Sequence, residues 1–280
     1  MTASRHSLTI DGAASERWEV TFAEIHERLF RPTRARVRAQ TQEPVDLDAL
    51  VGKDVSLELF VESQEGRAFH GVVLEVDETA LDEDAFEVEL TFGSKLTLLE
   101  LGRDHRIFQE MSVPDIARDV LARAGVDAIC EWSINADYEA HANVVQYGES
   151  DYDFLTRLLH EEGISFLVEQ DATAERVVFF DDTAFSAIEG TSILEHVSLE
   201  AASREGLLRQ ALVRRVASDQ VMLNNYDLAA PATDLRVTAE ADGATGREVY
   251  LHPAGYTDTG RGQRLADRAL ERLRVRTCTH

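Results

Sequence analysis

Gly148-Glu149-Ser150-Asp151-Tyr152 begins like a nucleophile elbow, in which a strand-to-helix turn lifts a serine hydroxyl into an active site. The second glycine of that pattern is missing, because Tyr152 stands in its place. Ser150 is better suited to cap the helix that follows. Around it lie Glu149, Asp151, Asp153, Glu161 and Glu162, and paired carboxylates can do acid–base work on a sugar. Here Glu149, Asp151 and Asp153 crowd a helix N-terminus, where the helix dipole favours anions without any chemistry. Arg157, four residues after Asp153, suits an ion pair along the helix. The nine histidines include no H-x-x-x-H or H-E-x-x-H spacing. His105 and His141 could share a metal only by long-range convergence, and His70 on a strand suits packing or a backbone hydrogen bond. Neither phosphate-cradling glycine pattern, G-x-x-x-x-G-K-[ST] or G-x-G-x-x-G, occurs. The sequence therefore assigns no catalytic residue, no cofactor-binding residue and no metal ligand, and the chain reads as a non-enzyme.

The elements around these residues change character twice. In the first part Arg34–Gln40 alternates strictly, with arginines on one face and Ala35, Val37 and Ala39 on the other, as in a half-buried strand. Trp18–Phe22, Asp54–Val61, Arg67–Val76 and Phe86–Phe92 are further strands, with a loop over Pro44–Gly52 and a hairpin turn at Gln64-Glu65-Gly66. Near Gly102 helices begin. Ser112 caps the first, with Pro114 in its first turn and Gly125 at its end. The second starts at Ser150, presents Phe154, Leu155, Leu158 and Leu159 on one face, and stops at Gly163. Ile164–Glu169 and Arg176–Phe180 then form a hairpin. The last part returns to strands at Leu207–Asp219, Val221–Asp227, Asp234–Glu240 and Glu248–Leu251, with a turn at Asp242-Gly243 and a basic amphipathic helix from Thr259 to Arg276. These patterns predict a β-rich α+β chain: a first β-barrel-like domain over 1–102, an α+β insert over 103–185, and a second β-barrel-like domain with a closing helix over 186–280.

Charge narrows the partners. The chain has 52 acidic and 28 basic residues and a formal net charge of −24, so nucleic acid and anionic membranes should be repelled. No apolar run is long enough to span a membrane, and Met1–Asp11 lacks the apolar stretch of a secretory signal. Cys130 and Cys278 are far apart, which fits reduced thiols in the cytoplasm. Arginines cluster over Arg204–Arg215 and Arg261–Arg276. In the closing helix Arg261, Arg264, Arg268, Arg272, Arg274 and Arg276 suit either a solvated face or the carboxylates of a neighbouring subunit.

Four blocks in order carry a family resemblance. Val145-Gln146-Tyr147-Gly148-Glu149-Ser150-Asp151-Tyr152-Asp153-Phe154, continuing through Arg157 to Glu161-Glu162-Gly163-Ile164, resembles the signature of the VgrG spikes of type VI secretion systems. Arg106-Ile107-Phe108-Gln109 with Ser112-Val113-Pro114-Asp115-Ile116 resembles a second segment, Gly66-Arg67-Ala68-Phe69-His70-Gly71-Val72-Val73 a third, and Leu50-Val51-Gly52-Lys53-Asp54-Val55 a fourth. Gly148 and His160 depart from the usual pattern. The blocks cover residues 50–164, and the likeness is loose after 185. The same family includes phage late-control protein D and contractile-phage tail hubs.

The resemblance implies a tail-hub fold and a structural task. Three copies would form a pseudo-sixfold ring, seated on a hexameric tube protein (Hcp in the type VI system) and joined to a β-helix needle, tip or effector proteins. Two similar barrels in each of three chains would present six related surfaces to the tube. It also implies synthesis in the cytoplasm and export on firing. Full spikes continue into an oligonucleotide-binding-type barrel and a β-helix needle. Neither is legible in these 280 residues, which leaves open whether the needle shares the polypeptide or is a separate chain. A contractile phage hub, or an extracellular injection system, and a hydrolase using Ser150 are the alternative readings.

Overall fold

The alternation in the first arginine-rich strand is realised in the computed structural model, which describes residues 6–13, 18–60, 66–82, 85–182, 213–275 and 278–279. Ala35, Val37 and Ala39 are buried, while Arg34, Arg36 and Arg38 face out and meet Glu100 and Glu89. This strand, β3 (Arg34–Thr41), belongs to a six-stranded antiparallel sheet with β1 (His6–Ile10), β2 (Glu19–His26), β4 (Asp54–Leu59), β5 (Arg67–Asp82) and β6 (Ala85–Gly93). The order is β1-β4-β5-β6-β3-β2. The edge strands β1 and β2 approach within 8 Å without sharing a ladder, so the sheet is a curled, open half-barrel. Its concave side is filled by Leu8, Leu57, Phe69, Val88, Leu90 and Phe92, each worth about 1.5–3 kcal/mol of burial.

Two features of this sheet were not expected from the pattern. β5 continues to Asp82, six residues beyond Val76, because β6 pairs with it as far as Asp82↔Ala85 even where both strands turn polar. The segment from Pro44 to Gly52 holds a single helical turn, α1 (Leu47–Leu50), capped by Asp46 through the Ala49 N–H. Gly52 then takes φ +78°, as its turn requires. The turn at Gln64 and Glu65 lies outside the described residues. Gly71 has no room for a side chain: a Cβ would lie 2.2 Å from the Gly93 carbonyl oxygen on β6.

A second core occupies residues 96–179. A 3-10 turn (Lys95–Glu100) leads into β7 (Asp104–Met111), α2 (Val113–Arg123), β8 (Cys130–Ser133), β9 (His141–Glu149), α3 (Asp151–Glu162), β10 (Ser165–Gln170) and β11 (Glu175–Phe180). Strands β7 and β9 pair alone as an antiparallel ribbon, and β10-β11-β8 form a three-stranded sheet in which β11 and β8 are parallel. Ser112 caps α2 through the Asp115 N–H, as its sequence predicted. The apolar faces of α2 and α3 meet Phe108, Phe166 and Phe179, and the ring of Phe108 stacks on that of Phe154 at 5.5 Å. This core and the half-barrel belong to one compact unit, residues 1–160 with 164–182.

The second unit comprises residues 183–280 with 161–163. Its described part holds a short pair, β12 (Val213–Arg214) with β16 (Cys278–Thr279), and a three-stranded sheet of order β14-β13-β15. The members of that sheet are β13 (Gln220–Leu223), β14 (Val237–Glu240) and β15 (Glu248–Leu251). Helix α4 (Thr259–Val275) lays Ala266 and Leu270 on this sheet, beside the buried Tyr256 whose hydroxyl donates to the Leu235 carbonyl at 2.6 Å. Gly262 is what lets the helix approach, since a Cβ there would meet the Tyr256 ring at 2.4 Å. Residues 207–212 of the strand expected over Leu207–Asp219, and the Arg204 end of its arginine cluster, lie outside the described residues, and of the rest only Val213–Arg214 is strand.

Candidate functional site

The signature block is a structural joint. Ser150 is buried, its hydroxyl accepting from the Asp153 N–H at 3.0 Å and donating to Asp153 Oδ2 at 2.8 Å. That is a serine N-cap in which the Asp153 carboxylate accepts from the capping hydroxyl itself, not from the backbone N–H that the acid of a capping box would reach. With the hydroxyl engaged in the cap and closed off from solvent, the elbow geometry needed for a nucleophile is not formed. Arg157 pairs with Glu149 at 2.6 Å, while the Asp153 carboxylate accepts from the capping hydroxyl.

Beneath the cap lies a polar clamp. The Gln146 side chain is fully buried and accepts from Arg106 Nε at 2.8 Å. Its amide donates to Asp151 Oδ1 at 2.8 Å and to the Glu149 carbonyl at 3.1 Å. Arg106 closes the loop with ion pairs to Asp151 and, at 3.2 Å, to Asp104. Alternation places Arg106 and Gln146 opposite each other on the inner face of the β7–β9 ribbon, and α3 delivers Asp151 between them. The clamp satisfies every polar group it buries and fixes how ribbon and helix meet.

The outer face of the same ribbon is different. The register Gln109↔Asn143, Ile107↔Val145 and His105↔Tyr147 puts six exposed side chains together. Ile107, Val145 and Tyr147 are 68%, 48% and 79% exposed. The Gln109 amide donates to Asn143 at 3.0 Å, and the His105 and Tyr147 rings meet edge-on at 4.9 Å. Sequence reading saw His105 only as a remote metal candidate. The signal for this face is confined to β9, where exposed Val145 and Tyr147 alternate with buried Val144 and Gln146, while β7 adds only Ile107 between His105 and Gln109.

A cleft of about 420 Å³ lies between the half-barrel edge and the β10–β11 turn, lined in part by Asp11, Asp54, His70, Lys95 and Glu175. Its charged groups are mostly committed to holding the fold. Lys95 Nζ pairs with Asp54 at 2.8 Å, and the Lys95 N–H donates to Glu175 Oε1 at 2.8 Å. His70 meets the Asp171 carbonyl at 3.1 Å, the backbone contact expected for it. Burial pushes the Glu175 carboxyl above its ordinary range, against the pull of the Lys95 N–H and ammonium. The backbone N–H groups of Thr173 and Ala174 hold Asp171 down at about 2. Burial pushes the Cys130 thiol up to about 12, and its Sγ donates to the Val126 carbonyl. Among the described residues no three His, Cys, Asp or Glu side chains gather as a metal site, and no helix is long and apolar enough to cross a membrane. In the closing helix Arg261 is buried and ion-paired to Glu162, which groups with the second unit, while Arg268 lies 3.5 Å from Glu271.

Comparison with known proteins agrees with the fold. The solved tail protein from Neisseria meningitidis MC58 superposes with a TM-score of 0.64 at 14% identity, over 99% of this chain and 79% of that one. The E. coli c3393 protein is described as a type VI secretion component structurally similar to the T4 bacteriophage tail proteins gp27 and gp5. It superposes with a TM-score of 0.58 at 23% identity, over 79% of this chain and 56% of that one. In sequence the chain is 30% identical to the type VI secretion system spike protein VgrG4b of Pseudomonas aeruginosa, over 96% of its own length and 34% of the relative's. It spans about a third of the length of the curated relatives it matches. The family described as phage tail baseplate hub (GPD) matches residues 26–280. The chain therefore belongs to the phage tail baseplate hub family.

Proposed function

We propose that this chain is the hub segment of the spike of a type VI secretion system, acting as a trimeric adaptor between a hexameric tube and a needle. The observation that carries the reading is the family match over residues 26–280, seen together with about 30% identity to a spike protein across nearly the whole chain. The output of such a hub is affinity and geometry, not turnover. The use of Ser150 as a cap and of the surrounding carboxylates as clamp members supports a non-enzymatic role.

In this reading three chains close a ring, the ring seats on a tube built of hexamers, and its far side carries the needle and effector proteins. Each chain in this reading brings two similar barrels to the ring, so that a threefold ring offers six related surfaces to the tube. The acidic surface suits docking by polar contacts to a tube end of opposite potential. The protein would be made in the cytoplasm and leave the cell when the machine fires. A phage tail hub is the second reading, favoured by the extent of the Neisseria tail-protein superposition. The sequence identity to the spike proteins favours the first.

The test is co-assembly. The purified chain is mixed with preformed hexameric tube rings from the same genome, and the complex is imaged by electron microscopy. Three copies capping one ring is the expected result. Rings that stay bare at saturating chain would overturn the proposal.

A further inference from the structure

We propose that the outer face of the β7–β9 ribbon, centred on Ile107, Val145 and Tyr147, is a contact surface between copies of this chain. The proposal rests on the hub reading and deepens it by placing one side of the subunit contact.

Three observations converge. The centre of the face is apolar and open: Ile107, Val145 and Tyr147 are 68%, 48% and 79% exposed on adjacent register positions, flanked by the polar His105, Gln109 and Asn143. Contiguous apolar patches on soluble chains mark association sites, and a central cluster of aromatic and aliphatic anchors is what such sites use. The face is also stiff. Directly behind it the buried Gln146 and the half-buried Arg106 are tied to Asp151, and the Phe108 ring stacks in the core. A stiff surface loses little conformational freedom on docking.

The third observation selects the occupant. All six residues of the face, His105, Ile107, Gln109, Asn143, Val145 and Tyr147, lack formal charge at neutral pH with histidine neutral, on a chain of net −24. At the end where the ribbon meets α3, the facing carboxylates Asp104 and Glu149 each have an arginine partner, Arg106 and Arg157. Two copies of so acidic a chain repel wherever carboxylates face each other. They approach with least repulsion through a neutral face. A basic protein or a cation-rich surface would instead be drawn to the acidic remainder. Nucleic acid and anionic membrane find no basic residue on this face to hold them. In a closed threefold ring the contact is heterologous, so this face of one copy meets a different surface of the next.

The experiment compares the native mass of the full chain with that of Ile107→Glu and Val145→Glu, at matched concentration, by light scattering. Both side chains already face solvent, and far-UV circular dichroism checks that each variant is folded. Ile107→Leu serves as the conservative control. The expected result is an about threefold fall in mass for both glutamate variants and none for the control. Glutamate variants that keep the wild-type mass would overturn this assignment while leaving the hub reading in place. A wild-type chain that is monomeric throughout would overturn both.

Discussion

Replacing Gln146 should loosen the joint between the β7–β9 ribbon and α3. Its side chain makes three hydrogen bonds at full burial: from Arg106 Nε at 2.8 Å, to Asp151 at 2.8 Å and to the Glu149 carbonyl at 3.1 Å. Two of the three involve a charged partner, for which about 1.5–3 kcal/mol each is typical, against about 0.5–1.5 for the neutral one. Arg106 keeps Asp151 and Asp104 as partners, so part of the loss is recovered. Gln146→Ala should therefore cost about 3 kcal/mol, a fall of roughly 6–12 °C in melting temperature for a unit of this size. Gln146→Met has nearly the same volume and should lose almost as much, because polar bonding and not packing is removed. The assay is urea unfolding followed by circular dichroism, with thermal melts in parallel. If Gln146→Met falls within about 0.5 kcal/mol of wild type, as an ordinary surface change would, the clamp contributes nothing and the reasoning is wrong.

Other expectations follow from the same geometry. Burial raises the Glu175 carboxyl, so the folded state holds that proton more tightly, and stability falls as pH rises from the ordinary glutamate range through the raised value. Glu175→Gln keeps an acceptor for the Lys95 N–H and should melt higher than wild type at neutral pH, an advantage that vanishes in acid; a lower neutral melting temperature would contradict this. Asp171, held at about 2 by the turn it closes, contributes stability above pH ~4 that is lost as pH falls through about 2. Asp171→Asn should melt below wild type at neutral pH and match it near pH 2, as a melting series against pH would reveal. Gly71→Ala should cost about 3 kcal/mol, because the Gly93 backbone cannot retreat from the added Cβ without opening the β5–β6 ladder; soluble yield and melting temperature report it. Peptide-mapped alkylation should find Cys130 slow to react in the folded chain and fast in denaturant, since its thiol is held up to about 12.

The sequence disclosed what depends on local period. Alternation in β3, the Ser112 cap of α2 and the apolar face of α3 are each set by neighbours within a few residues, and each appears in the structure. It concealed what depends on distant partners. The polar end of β5 is a strand only because β6 pairs with it, and the parallel pairing of β8 with β11 joins residues 47 positions apart at Cys130 and Val177. The cleft assembles residues from positions 54, 70, 95 and 175, a set no linear pattern could show. Arg157 illustrates both levels. Helical spacing offers Asp153, which the cap engages, and the arginine also reaches back to Glu149, a partner that spacing along the helix does not show. The signature block drew attention as chemistry because Ser, Asp and Glu are dense there. The density instead serves a helix start and a buried clamp.

The most direct test of the hub account is the native mass of the purified chain, measured by light scattering at two concentrations. The account predicts a mass of three times 31.2 kDa at both. A mass of 31.2 kDa at both would contradict it, since a ring that seats on a hexameric tube requires three copies.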